Sequence, residues 1–504
     1  MGSVPIAGTT SLKPMPDESN APSLVPPRTL KGFQDYLPTT AIARRRIIDA
    51  IVPVYESFGF LPLDTPVLEH LETLIGTGGE DTNKELFRLE TPEEEPAAMR
   101  FDLTVPFARV VAQYGKEQKL LPFRRYHIGP VFRADKPGPG RFRQFTQCDI
   151  DVAGSSSIYI DAEIIAVMSQ ALQALGLSTD SASPRGFRIN INSRKLVDAF
   201  LDKAAIGQSG DEIRKSVLRV VDKLPKVGLK AIELELAAGR YDDSGAYIKG
   251  VGLATDQIQA ISAFVQIKAG TRLEILEQVK AHVDSQEAIA EIEGLAEGLE
   301  ALGVGETEAV FDPSLARGLD YYTGPIFEAN LVNSPSFGSI MGGGRYDKLV
   351  SRFSELEIPG CGASIGVDRL MDALASVGGL EQSRSITQVL FLKLPKIPEI
   401  KLLKLASNLR AEGLSSQVYL MDGKCTFGSQ LAFANENAIP IAVIIGEDEI
   451  NGGTVTIKNL AAARKPISDE KDRAEYLKQN RQSNQVTVPE GDLLKTIRDM
   501  LSGD

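Results

Sequence analysis

Cysteine and histidine are scarce in this chain, and the scarcity removes classes of chemistry. The three cysteines, Cys148, Cys361 and Cys425, form no Cys-x-x-Cys pair, and the three histidines, His70, His127 and His282, have no metal-ligand spacing, so no structural zinc is expected. No stretch reads as a transmembrane span. Residues 1–27 contain no Arg and no apolar run, so neither a secretory nor an Arg-rich transit signal is expected, and the start MGSVPI lacks the Ser or Thr at position six that myristoylation needs. Rich in Pro, Ser and Thr, residues 1–28 read as a disordered tail. An odd cysteine count without a signal fits reduced thiols in the cytoplasm.

An excess of basic charge is also missing: the net charge is −12, which argues against a general nucleic-acid binder. The deficit is uneven. From Ser385 onward there are 15 basic and 15 acidic residues, so residues 1–384 carry all of it and the neutral C-terminal part has room for a local RNA-binding patch. What remains, 43% hydrophobic and 24% charged over 504 residues, is a soluble globular composition too long for one core, and it predicts two to four domains.

The densest chemistry lies in Tyr126–Val152, YHIGPVFRADKPGPGRFRQFTQCDIDV. Two strand patterns flank Ala134–Gly140, whose two Pro and two Gly suit a chain reversal, so the stretch predicts a long antiparallel hairpin. Alternation on the return arm puts Arg141, Arg143, Phe145, Gln147, Asp149 and Asp151 on one face and Phe142, Gln144, Thr146, Cys148, Ile150 and Val152 on a core-like face. With Arg133 just before the turn, the first face offers guanidinium forks for phosphates and the Phe145 ring for a base. Its amide and carboxylates suit an ammonium group or an imidazole. A solvated strand with salt-bridged charges is the other reading of the same pattern.

FRADKPGPGRFRQF resembles motif 2 of the class II aminoacyl-tRNA synthetases, and its continuation QFTQCDIDVAG is similar to the histidyl-tRNA synthetase version. LARGLDYYTG, Leu315–Gly324, resembles that family's histidine-specific signature, and GASIGVDRL, Gly362–Leu370, resembles class II motif 3. FGFLPLDTPVLEHLETL resembles motif 1, with Pro66 as its proline, which implies a homodimer interface. The resemblance implies an α+β fold: an antiparallel catalytic sheet with flanking helices, a helical insertion and a C-terminal α/β anticodon-binding domain. It also implies two steps, activation of histidine by ATP and transfer to tRNA(His), with Mg²⁺ on the phosphates; no metal-ligating side chain is assigned.

Carried onto this sequence, the resemblance gives Arg317 and Arg133 as catalytic cations acting at the substrate carboxylate and α-phosphate. It places Asp102, Thr104, Gln147, Asp151, Tyr321, Tyr322 and Tyr346 around histidine. Arg133, Asp135, Arg141, Phe145, Arg317 and Arg369 go to ATP. Within these sets, Asp102 and Gln147 take the ammonium, Asp151 and Tyr322 the imidazole, and Phe145 the adenine. Asp102 or Thr104 also suits a plain helix cap. Arg369 could equally end in a helix-terminal salt bridge.

Along the chain, an amphipathic helix is expected from about Thr40 to Ser57, then a strand and a helix start, and then two strands before a helix near Val105. The Gly-rich acidic Ile75–Glu85 reads as a ligand-covering loop. A helix over Asp161–Gly176 and a strand over Arg185–Asn192 follow. About 193–302 the pattern is helical and reads as an insertion within a catalytic domain, 29–384. After a polar boundary, 385–504 holds four strand-like runs, QVLFLKLP, LSSQVYLM, AIPIAVIIG and GTVTIKNL, with helices between, as in a compact α/β domain. Two alternatives stand beside the ligase reading. One is a threonine- or proline-specific class II enzyme, and the other a histidine-binding regulatory subunit.

Overall fold

The computed structural model describes residues 25–502 apart from 77–82, 118, 139, 207–209, 243, 269, 317–321, 335–336, 381–382, 422–425 and 462–483. Most of the expected tail, and much of the Gly-rich acidic loop, lie outside the described residues.

Helix α1, Pro38–Ser57, starts on a proline whose fixed φ suits a first turn, and it buries Ala43, Ile47, Ile51 and Tyr55 along one stripe. Strand β1, Leu61–Pro62, follows. A three-stranded sheet comes next, from β2, Leu68–His70, β3, Arg88–Glu90, and β4, Pro96–Met99, in the order β2-β4-β3. Helix α2 is Thr104–Tyr114. Strands β5, Phe123–Phe132, and β6, Gln144–Ala153, form the expected hairpin, ten residues on each arm. Helix α3 runs Ile158–Ala174, beginning a turn before the predicted Asp161 because the Ser157 hydroxyl caps the Tyr159 amide. Gly176, at φ +78°, takes the left-handed conformation that ends it.

Strands β1, β5 and β6 and five later strands build an eight-stranded sheet. The later strands that complete it are β7, Phe187–Ser193, and, beyond a small hairpin of β8, Gly239–Tyr241, and β9, Tyr247–Lys249, the strands β10, Ala309–Phe311, β11, Pro325–Leu331, β12, Ser339–Arg345, and β13, Gly360–Gly366. The order is β1-β5-β6-β13-β12-β11-β7-β10, antiparallel except for the two edge pairs. Cys148, Ile150 and Val152 of β6 share one core with Ile47 and Ile51 of α1 and Ile165 and Met168 of α3, so the predicted apolar face is the helix-covered one.

Residues 194–301 are largely helical, ending in α4, Gln286–Ala301. The β8–β9 hairpin corrects the purely helical expectation there. Three-residue strands are too short to show alternation, and the Tyr241–Tyr247 pair across the ladder is exposed. This region shares the main core: Phe200 stacks on Phe264 at 4.0 Å. At Gly298 of α4 a Cβ would fall 2.8 Å from the Ala162 Cβ of α3, a helix approach that only glycine permits.

Helix α5, Val367–Ser376, follows β13 directly. The five-stranded C-terminal sheet has its own core, including Val389, Phe391, Leu402, Val443 and Ile497. Four of its strands match the four predicted runs: β14, Val389–Phe391, β15, Ser416–Val418, β16, Ile441–Ile444, and β17, Thr454–Asn459. The fifth, β18, Gln485–Pro489, lies outside the four expected runs and completes the order β15-β14-β16-β17-β18. It is an edge strand exposed along nearly its whole length, so no buried face marks it in the sequence. Among the described residues no helix is long and apolar enough to cross a membrane.

Candidate active site

The β5–β6 register builds the site. It sets Arg125 opposite Asp151, His127 opposite Asp149 and Gly129 opposite Gln147, on the sheet face turned away from α1 and α3. Across the next ladder, Gly362 of β13 faces Asp151 and Ser364 faces Asp149. Gly362 is required there, because a Cβ would sit 2.0 Å from Asp151 Oδ1.

Asp151 is held from both sides. Arg125, fully buried, makes an ion pair of 2.5 Å with Oδ2 and donates to the Leu103 carbonyl at 2.9 Å, while the Tyr346 hydroxyl donates to Oδ1. Burial raises the Asp151 carboxyl to about 6 in spite of Arg125. Asp149, two residues back and 1% exposed, faces Ser364 across the ladder, but neither of its oxygens makes a hydrogen bond of good geometry among the described residues. Burial pushes it up to about 8 against the pull of Arg125, with the charge on Asp151 adding to the rise. Arg125 Nε and Nη1, His127 Nδ1 and Gln147 Oε1 are buried and have no hydrogen-bond partner among the described residues either. Polar atoms left this way cost about 1–3 kcal/mol each, so so dense a set on one face marks a floor made to receive polar groups or water.

Above and beside this floor opens a cleft of about 380 Å³. Arg133, Asp135, Arg141, Phe145, Gln147, Tyr322 and Arg369 all line it. The Arg133 guanidinium lies 4.3 Å from the Phe101 ring centre and 5.2 Å from that of Phe145, with Nε donating to the Phe101 carbonyl at 3.2 Å, so it is fixed before any anion arrives. Arg141 pairs with Asp135 at 2.6 Å. Burial draws the Asp135 carboxyl upward, but hydrogen bonds from Glu85 and Arg141 outweigh it and hold it below its usual range. Glu85 is raised to about 6, by burial first and then by Asp135. Gln147 Nε2 donates to the Ser364 hydroxyl, which leaves Oε1 free to accept from an N–H. At Gly343 and Gly344 a Cβ would strike the Gly362 carbonyl at 2.1 Å and the Pro325 carbonyl at 2.7 Å, so the three-glycine run serves tight strand packing beside the cleft.

The remaining sequence candidates fall nearby or outside the description. Asp102 Oδ1 accepts the Val105 amide at 2.9 Å and so caps α2, and burial raises its carboxyl against the pull of that amide and of Arg133. Thr104 opens α2, half-buried. Tyr346 and Asp151 are buried behind the cleft wall rather than on it. Arg317 and Tyr321 lie outside the described residues. Sequence reasoning did not single out Arg125, His127, Ser364 or Asp368. The first two were recoverable by folding the hairpin about its Pro-Gly turn, which sets Arg125 against Asp151. Among the described residues no group of three or more His, Cys, Asp or Glu side chains could hold a metal ion.

An antiparallel sheet with an arginine-bearing hairpin, a three-glycine strand and a helix carrying Arg369 in its first turn, all around one anion-ready cleft, defines a class II aminoacyl-tRNA synthetase catalytic unit. Residues 32–370 match the histidyl-tRNA synthetase family model, and 398–499 match the anticodon binding domain. The chain is 39% identical over 498 residues to the histidine–tRNA ligase of Paracoccus denitrificans, covering 94% of this chain and 97% of that one. It is 38% identical over 501 residues to that of Cereibacter sphaeroides, at the same coverage. The crystal structure of a Nostoc histidyl-tRNA synthetase superposes with a TM-score of 0.76 at 30% identity, covering 94% of this chain and 99% of that one. The chain belongs to the histidyl-tRNA synthetase family.

Proposed function

We propose that this chain is a cytoplasmic homodimeric ligase that activates histidine with ATP and transfers it to the 3′ end of tRNA(His). The observation that carries the reading is the juxtaposition of an acidic, hydrogen-bond-hungry floor, Gln147, Asp149 and Asp151, with a cleft lined by Arg133, Arg141 and Arg369. The floor suits an amino acid with a polar ring, and the cleft suits a polyphosphate.

In the first step a histidine carboxylate oxygen attacks the ATP α-phosphorus, the bond to the leaving diphosphate breaks, and histidyl-adenylate forms. Arg133, Arg317 and Arg369 stabilise the crowded anionic centre, and guanidinium suits this because it needs no proton balance. Asp135 orders Arg141 at the triphosphate, and adenine stacks on Phe145. Asp102 and the free Gln147 Oε1 accept from the ammonium. Asp151, set by Arg125 and Tyr346, acts with Tyr322 at the imidazole, and Thr104 and Tyr321 are assigned to histidine binding as well. The cleft carboxylate Glu328 would help hold a Mg²⁺ ion together with the substrate phosphates, whose charge the ion would neutralise. In the second step the terminal ribose hydroxyl of tRNA attacks the acyl carbon and AMP leaves.

The catalytic unit is assigned to 29–384, with an insertion at about 193–302, and tRNA anticodon holding to 385–504. The segment around Pro66, with Leu61 and Leu68 exposed, is assigned to the dimer contact. ATP–diphosphate exchange with each of the twenty amino acids tests the substrate. Histidine alone is expected to support it, and exchange with threonine or proline in its place would contradict the reading.

A further inference from the structure

Three successive arginines, Arg44, Arg45 and Arg46, occupy α1. Arg45 behaves as a surface residue, 78% exposed and paired with Asp49 four residues on. Arg44 does not. It is 13% exposed, its guanidinium carbon lies over the Tyr36 ring, 3.5 Å from the centroid, Nη1 donates to Asp368 Oδ1 at 2.7 Å and Nη2 to Thr146 Oγ1 at 2.5 Å. The second oxygen of Asp368 accepts the Thr146 backbone amide at 3.0 Å.

These contacts join three elements at the nucleotide side of the cleft. Thr146 stands on β6 between Phe145 and Gln147, both of which line the cleft, and Asp368 immediately precedes Arg369 in the first turn of α5. Gly366, at the start of α5, provides no side-chain cap. The tilt of that first turn therefore depends on Asp368 being tied to β6, and Asp368, 2% exposed, depends on Arg44 for its counter-charge.

We propose that Arg44 is a positioning residue for ATP: through Asp368 and Thr146 it fixes Arg369 and Phe145 relative to each other, although it lines no part of the cleft itself. The inference rests on the assignment of Arg369 and Phe145 to ATP. A planar fork suits the task because it bridges a carboxylate and a hydroxyl while stacking on an aromatic ring, which an ammonium cannot do.

The test uses the full chain and the variants Arg44→Met and Arg44→Lys. Equilibrium binding of a non-hydrolysable ATP analogue, KM for ATP and for histidine in exchange, and the melting midpoint are measured for each. Arg44→Met is expected to weaken nucleotide binding and raise KM for ATP about tenfold, equivalent to ~1.4 kcal/mol, with KM for histidine within about twofold. Arg44→Lys should recover part of the loss. Unchanged nucleotide affinity overturns the proposal, as does an equal rise in both KM values that follows the fall in melting midpoint, which would mark Arg44 as a plain fold residue. Should the unmodified chain lack histidine-dependent exchange, the functional reading fails, and the binding measurement still decides the role of Arg44.

Discussion

Arg125 and Asp151 face each other across the β5–β6 ladder and form a buried ion pair of 2.5 Å, with Gly362 on the next strand making room for the carboxylate. Removing one partner strands the other charge, which typically costs about 3–5 kcal/mol when both are buried. Arg125→Met is therefore expected to lower the denaturant midpoint of the catalytic unit, whereas Asp151→Ala should weaken histidine more than ATP in exchange. A change in ATP dependence with histidine dependence intact would move Asp151 out of the amino-acid pocket.

Asp149 makes a pH-dependent contribution. Its folded carboxyl sits at about 8, far above the ordinary 3.8, so between those values the folded chain holds a proton that the unfolded chain releases. Stability contributed by this group therefore falls as pH rises from about 4 to about 8. Asp149→Asn removes the titration, and its stability relative to the unmodified chain should improve steadily from pH 4 to pH 8. A difference that stays constant over that window would show that Asp149 is ionised in the folded chain.

Arg133 is immobilised by two aromatic rings and a backbone carbonyl before substrate arrives, which is the state a pre-organised cation needs. Arg133→Ala and Arg317→Ala should each cut adenylate formation by at least ~100-fold, the usual scale for such a contact, with folding retained. A well-folded variant with near-normal exchange would make that arginine structural.

The eight-stranded sheet and the C-terminal sheet have separate cores, and the cleft is lined entirely by residues before Ser376. A chain ending at Arg384 should keep histidine-dependent exchange and sediment as a dimer, yet lose tRNA charging, because remote contacts that position the acceptor end are gone. Full charging would refute the assignment of 385–504 to tRNA. Loss of exchange with loss of folding would place the boundary elsewhere.

The β6 strand was legible because alternation is strict there: Cys148, Ile150 and Val152 meet the helices while Gln147, Asp149 and Asp151 meet the site. Nearly continuous burial along that strand shows why such a face is chemical rather than solvated. Its partners were harder to see. Arg125 becomes meaningful only once the register is known, and Arg44 is indistinguishable in sequence from its neighbour Arg45, since only tertiary packing turns one inward and leaves the other outside. Strands β8, β9 and β18 were missed for a related reason, being short or exposed and so lacking a buried face to impose a pattern.

The most direct measurement is charging itself: labelled histidine, ATP and Mg²⁺ incubated with the full chain and either tRNA(His) or an equal amount of another tRNA, with acid-precipitable label followed over time. Label should accumulate on tRNA(His), depend on ATP, and be released by mild alkali as an ester is. Histidine-dependent diphosphate exchange without any label transferred to tRNA(His), or equal transfer of another amino acid, would contradict the account.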